Sequence, residues 1–75
     1  MATKAKFDGQ KMAEDLTLKG WLAIDLSRKA GVSDQTVYRF LSGERQTARM
    51  AKRLARALGY SHRRYLLSVS VEAVA

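Results

Sequence analysis

The sequence has no cysteine, which excludes disulfides and thiolate metal sites and suits a reducing cytoplasm. It has no proline, no internal repeat and no low-complexity stretch, so nothing in it reads as a linker between two units. A single histidine, His62, is too few for a histidine-based metal cage. No apolar run approaches the ~20 residues needed to span a bilayer, and the opening MATKAKFDG lacks the apolar stretch of a secretory signal. These absences predict a soluble cytoplasmic protein with no metal, no cofactor and no membrane partner. They also argue against an enzyme. Ser61 and His62 are adjacent, no acidic residue nearby in the chain can orient the imidazole, and no glycine-rich phosphate loop is present.

Negative charge is scarce as well. Seven Asp and Glu face 14 Lys and Arg, giving a formal net charge of +7 and a pI near 10.3. Such a balance predicts a polyanionic partner, nucleic acid before an anionic membrane surface. The distribution sharpens this: from Arg45 to Arg64 there are seven basic residues and no acidic one. With 75 residues the chain fits one small domain, whose core must be used economically or shared with a second subunit.

Helix starts and stops punctuate the sequence. Asp8 can cap a first helix carrying Met12 and Leu16, with Phe7 and Ala13, on a buried side, and Gly20 ends it. Trp21 opens the segment WLAIDL. A second helix then follows, with Leu22, Leu26 and Ala30, or equally Ile24 and Ser27, on neighbouring sides, and Gly31 stops it. Ser33 caps a third helix, and Asp34 suits the positive end of its dipole. Val37, Phe40 and Leu41 face inward, and Gly43 closes the helix after Ser42. Beyond the loop GERQ, Thr47 caps a fourth helix with Ala51, Leu54, Ala55 and Leu58 inward. Arg49, Lys52, Arg53 and Arg56 line another face. Gly59 ends that helix, and Ser61 can cap a short fifth over Tyr65, Leu66 and Leu67. The tail SVSVEAVA alternates polar and apolar residues, as a strand does. A lone strand needs a partner, such as the same strand of a second subunit; the other reading is a disordered tail.

The two helices around Gly31 are joined by only GVS, and so short a connection forces the steep crossing of a helix-turn-helix over about residues 22–42. Small Ser27 and Ala30 permit close approach, and Gly31 supplies the positive φ of the turn. Val32, Val37 and Phe40 pin the third helix, leaving Asp34, Gln35, Tyr38 and Arg39 outward.

The stretch LSRKAGVSDQTVYRFLSGER resembles the helix-turn-helix of the Cro/cI-type repressors, the XRE family. GQKMAEDLTLKG resembles that family's first helix, and TARMAKRLARALGYS its fourth helix and following turn. The resemblance spans roughly residues 8 to 66. GVSDQTVYRFL is also similar to the headpiece of LacI-type repressors, but those begin the motif almost at the N-terminus, whereas about twenty residues precede it here. The Cro/cI frame implies an all-α, lambda-repressor-like bundle of about five short helices, with the tail either a C-terminal strand or disordered. It divides the chain into a flexible basic arm (1–7), a DNA-binding domain (8–67) and a tail (68–75) that can dimerise. Two positions depart from the family pattern. Leu22 and Ala23 replace the usual Ser/Thr-Gln phosphate grip, and Lys52 stands where an apolar residue is common.

The resemblance implies that the third helix lies in the major groove. Side-chain chemistry agrees: Gln35 can pair with adenine and Arg39 with guanine. Tyr38 can touch a phosphate or a thymine methyl, or simply pack. Asp34 can accept from cytosine, or cap the helix and orient Arg39. Backbone contacts are expected from Ser33, Thr36, Ser42, Arg45, Gln46, Arg49 and Arg53, and from Lys4 and Lys6 of the arm. A dimer interface is expected at Tyr65, Leu66, Leu67 and Val69. The expected function is a sequence-specific regulator of double-stranded DNA, a prokaryotic or phage repressor dimerised on a near-palindromic operator. The alternatives are an antitoxin that masks a toxin and autoregulates its operon, and a basic RNA-binding protein.

Overall fold

Three of the four α-helices begin where a short polar side chain accepts a backbone N–H, and the computed structural model, which describes residues 2–72, shows each of those caps closed. Asp8 Oδ1 accepts from Lys11 at 2.9 Å at the head of α1 (Gly9–Lys19). Ser33 Oγ accepts from Thr36 at 3.2 Å at α3 (Asp34–Ser42), and Thr47 Oγ1 accepts from Met50 at 3.1 Å at α4 (Ala48–Leu58). The exception is α2 (Ala23–Ala30). Leu22 has no side-chain acceptor to offer there, and instead its own N–H donates to Asp25 Oδ2 at 2.7 Å. Each cap is worth about 0.5–2 kcal/mol.

The inward stripes of these helices meet in one core. Met12, Leu16, Leu26, Val37, Phe40, Ala51, Leu54, Ala55 and Leu58 are all buried, together with Phe7 and Tyr65. Burial of each larger side chain contributes about 1.5–3 kcal/mol. One contact needs a specific residue for steric reasons. A Cβ on Gly9 would stand 2.7 Å from the Leu41 carbonyl carbon and closer still to its oxygen, so the start of α1 rests on the backbone of α3.

A charged group also lies in the core. Asp15 is 3% exposed, and Arg64 grips its carboxylate through Nε at 2.9 Å and a second guanidinium nitrogen at 3.1 Å. The Tyr65 hydroxyl donates to the same carboxylate at 2.6 Å. The paired Arg64 guanidinium holds the Asp15 carboxyl below the usual carboxylate range despite its burial, while burial and the neighbouring carboxylate push the Tyr65 phenol up.

The structure corrects the sequence reading at both ends. The expected basic arm is a strand, β1 (Ala2–Phe7), because Phe7 is buried and the chain on either side of it is tied down. Its partner is β2 (Leu66–Glu72), antiparallel within the same chain, with Ala2 opposite Glu72 and Lys6 opposite Ser68 and an irregularity between Lys6 and Phe7. The tail is therefore a strand as far as Glu72, and its partner is the chain's own β1 rather than a second subunit. The boundary drawn at 7/8 falls at the end of β1, whereas the one at 67/68 cuts β2, which begins at Leu66. Residues 73–75 of the expected tail lie outside the described residues. The fifth helix shrinks to one 3₁₀ turn, His62–Tyr65, capped by Ser61, and Leu66 and Leu67 belong to β2. The architecture is thus a mainly helical bundle with a small two-stranded sheet. Among the inward candidates, Leu22 is 70% exposed, while Ala13, Ile24, Ala30 and Leu41 are half-buried.

Gly9→Ala should lower the free energy of unfolding by about 1–3 kcal/mol, because the methyl group meets backbone rather than a movable side chain; denaturant unfolding followed by circular dichroism measures this. Asp15 has a depressed pKa in the folded state. Its contribution is therefore complete above the unfolded carboxylate value of about 3.9 and fades as pH falls through the lower folded value. Thermal unfolding of the wild type should accordingly steepen in its pH dependence below about pH 4, and Asp15→Asn should be less stable at neutral pH and lose that steepening.

Candidate nucleic-acid interface

The turn between α2 and α3 sets the geometry of the surface. Gly31 takes φ 72°, a left-handed conformation open to glycine at little cost, and the Val32 N–H closes back on the Ser27 carbonyl at 3.0 Å. Ser27 is buried, and its one hydroxyl proton has two acceptors in reach: the Ile24 carbonyl at 2.7 Å and Asp34 Oδ1 at 2.6 Å. The charged acceptor makes the stronger bond. Asp34 therefore ties the start of α3 to the middle of α2, and one of its oxygens is committed inside the protein.

Helix α3 is divided sharply between buried and open sides. Val37 and Phe40 are fully buried, whereas Asp34, Gln35 and Tyr38 are exposed, Tyr38 at 60%. Arg39 and Thr36 are half-buried and share a groove of about 240 Å³ with Arg45, Thr47 and Met50. Two guanidinium groups and two hydroxyls thus converge beside the exposed side of α3, a set suited to phosphate oxygens.

The residues expected to grip the backbone divide into several groups. Ser33 and Thr36 hydroxyls lie 2.8 Å apart, joined to each other at the head of α3. Ser42 Oγ donates to the Arg39 carbonyl at 3.1 Å and closes the far end of the helix. Arg45, Arg49 and Arg53 are exposed, as is Lys6 on β1. Lys4 and Val69 have their backbones in the sheet, and their side chains lie outside the described ones. Gln46 is a correction. Its Oε1 accepts from the Phe7 N–H at 3.1 Å and its Nε2 donates to the Phe40 carbonyl at 2.9 Å, so both ends of the amide brace β1 against α3. Tyr65 is a second correction: it is fully buried and held by Asp15, which removes it from any interface.

A family model described as Helix-turn-helix matches residues 12–65 of the 75, well over half the chain. The chain belongs to the Cro/cI-type helix-turn-helix family. As such a helix-turn-helix protein it is a DNA-binding transcriptional regulator, and its binding partner is double-stranded DNA. The family is one of regulators rather than of enzymes. No curated protein and no solved structure matches the chain. Among the described residues, no helix of this helix-turn-helix protein is long and apolar enough to cross a membrane, and no acidic or histidine cluster could hold a metal ion.

Sequence reasoning missed one part of the basic surface. Lys29, at the end of α2, joins Arg49, Lys52, Arg53 and Arg56 along a second groove of about 700 Å³. The periodicity of α4 revealed four of these residues, but nothing local to Lys29 indicated which helix would lie beside it.

The Ser27–Asp34 bond should account for about 1 kcal/mol of stability. Ser27→Ala and Asp34→Ala should each destabilise the helix-turn-helix, and a double-mutant cycle should show them coupled; additive effects in urea unfolding would contradict this.

Proposed function

We propose that the protein is a repressor that binds a near-palindromic operator as a dimer and blocks access to the DNA it covers. The observation that carries this reading is the division of α3. Its inner side is fixed by completely buried Val37 and Phe40, while exposed Gln35 and half-buried Arg39 stand one helical turn apart on the other side. Base edges in the major groove are read by such a rigidly held pair, Gln35 at adenine and Arg39 at guanine. Tyr38, exposed between them in sequence, reaches a thymine methyl or a phosphate. Asp34, half occupied by Ser27, has one oxygen left to accept from a cytosine. Arg45, with Thr36 at the shared groove and Ser33 and Ser42 at the two ends of α3, meets the flanking phosphates. Arg49, Arg53 and Lys6 extend that grip.

Two features support pairing through the sheet. Each strand of the described two-stranded sheet has one unpaired edge, and Leu66 and Leu67 on β2 are exposed at 37% and 64%. The outer side of α4 is a poor alternative, because two copies would bring like charges together. A dimer of this kind would hold two copies of α3 about 34 Å apart, one turn of B-DNA.

Selection of bound duplexes from a random pool tests the reading. The wild type should return an inverted repeat with half-site centres about 10 base pairs apart. Gln35→Ala and Arg39→Ala should each relax preference at a different base pair by about 1–3 kcal/mol, and Arg45→Ala should weaken all sequences alike. Unchanged preference in both helix variants would refute the readout. A monomer in sedimentation, both free and on DNA, would refute the dimer.

A further inference from the structure

The basic groove between α2 and α4 does not end at α4. Lys52 and Arg56 line it on one side and also line the next groove, with Tyr60, Ser61, His62 and Arg63. The two form a continuous surface carrying Lys29, Arg49, Lys52, Arg53, Arg56 and Arg63, with no acidic residue in its lining. None of these six makes an ion pair among the described residues, where the ion pair present is Arg64 with Asp15. The five on the helices and Arg63 are exposed.

The position of this surface separates it from the reading side. Met50 borders the groove beside α3, and helical geometry places Lys52 and Arg56 about 200° and 240° around α4 from it. A duplex seated on α3 therefore leaves Lys52 and Arg56 facing away, and Arg63 lines the same groove as those two. We infer that this outer face of α4 and the 3₁₀ turn is a second, sequence-independent site for the phosphate backbone of duplex DNA, so that one protein can hold two DNA segments. The inference rests on α3 being the reading side.

Charge complementarity and spacing identify the occupant. Lys52 and Arg56 are one helical turn, about 6 Å, apart, and with Arg63 they place three cations not assigned to the duplex on α3 along one open surface. The surface is open and dominated by cations, with Tyr60 its single large apolar-bodied side chain, whereas a protein interface is anchored by several apolar and aromatic groups at its centre. Backbone recognition without base reading needs only cations at this spacing.

The test uses the full chain, an immobilised duplex carrying the selected site, and a fluorescent duplex of unrelated sequence. The wild type should capture the second duplex on the first, with capture falling steeply as salt rises. Lys52→Gln/Arg56→Gln/Arg63→Gln, checked for folding by circular dichroism, should lose capture at least tenfold while keeping its base preference and its affinity for the single selected duplex within about twofold. Arg39→Ala should do the opposite, relaxing preference while still capturing. Failure of Arg39→Ala to relax preference would count against the reading role of α3 and leave the capture result to be judged separately. Three outcomes would overturn the inference: no capture by the wild type, undiminished capture by the triple variant, or an equal loss of single-duplex affinity in that variant. Retention on polyglutamate beads but not on the second duplex would assign the face to an acidic protein and would also overturn it.

Discussion

The buried carboxylate of Asp15 is the interaction on which the arrangement of the helices and strands depends. It lies on the first helix, and its partners Arg64 and Tyr65 lie some fifty residues later in the 3₁₀ turn. A carboxylate this deeply buried is costly unless paired and fully hydrogen-bonded. Here a two-pronged guanidinium and a phenol satisfy it, and among the described residues no buried side-chain polar atom is left without a partner. The pairing places the Tyr65 ring at the centre of the core. The Tyr65 carbonyl in turn accepts from the Asp8 N–H at 2.7 Å, and from that point the two strands run out side by side. The Arg64 guanidinium also stacks 4.4 Å over the Tyr60 ring, beside Lys19 and Trp21, so the same residue closes the outer edge of the bundle.

The third helix is held from behind by four unlike devices. Hydrophobic burial of Val37 and Phe40 supplies most of the energy, and the Ser27–Asp34 bond fixes its first turn. At its far end, Gln46 joins the Phe40 carbonyl to the Phe7 N–H, and Gly9 lets the first helix lie against the Leu41 backbone. The support is continuous from one end of the helix to the other. Charge is arranged differently. Cations line the groove beside α3 and also the two grooves that share Lys52 and Arg56.

Features governed by near neighbours were legible in the sequence. Asp8, Ser33, Thr47 and Ser61 cap as their side-chain chemistry dictates, and the glycines at 20, 31, 43 and 59 end the α-helices. The buried stripe of α4 follows from its period. The turn GVS is equally local, which is why the motif and its outward residues could be placed. The misreadings share a different cause: in each, the partner lies far away in sequence. Gln46 looked like a loop residue free to reach a phosphate, because its partner Phe7, 39 residues earlier, is brought to it only by the fold. Tyr65 looked like part of a surface patch, because Asp15 could not be known to lie beneath it. Lys4 and Lys6 suggested a loose arm, because strand pairing with residues 68–72 cannot be seen in either segment alone. Gly9 carries no local signal of the backbone that rests on it.

Pairing Ala2 with Glu72 has a consequence for how the unit connects to anything else. Paired strand residues sit about 5 Å apart, so the path into the helical bundle and the path out of it run through one narrow two-stranded stalk. Chain preceding the first strand and chain following the last would meet at the same spot, away from the helices. That is the topology of an insertable module: it can be spliced into a loop of a host protein without separating the host's cut ends. A stalk of two hydrogen-bonded strands would also transmit orientation, aiming the bundle relative to the host, which a single flexible tether could not do.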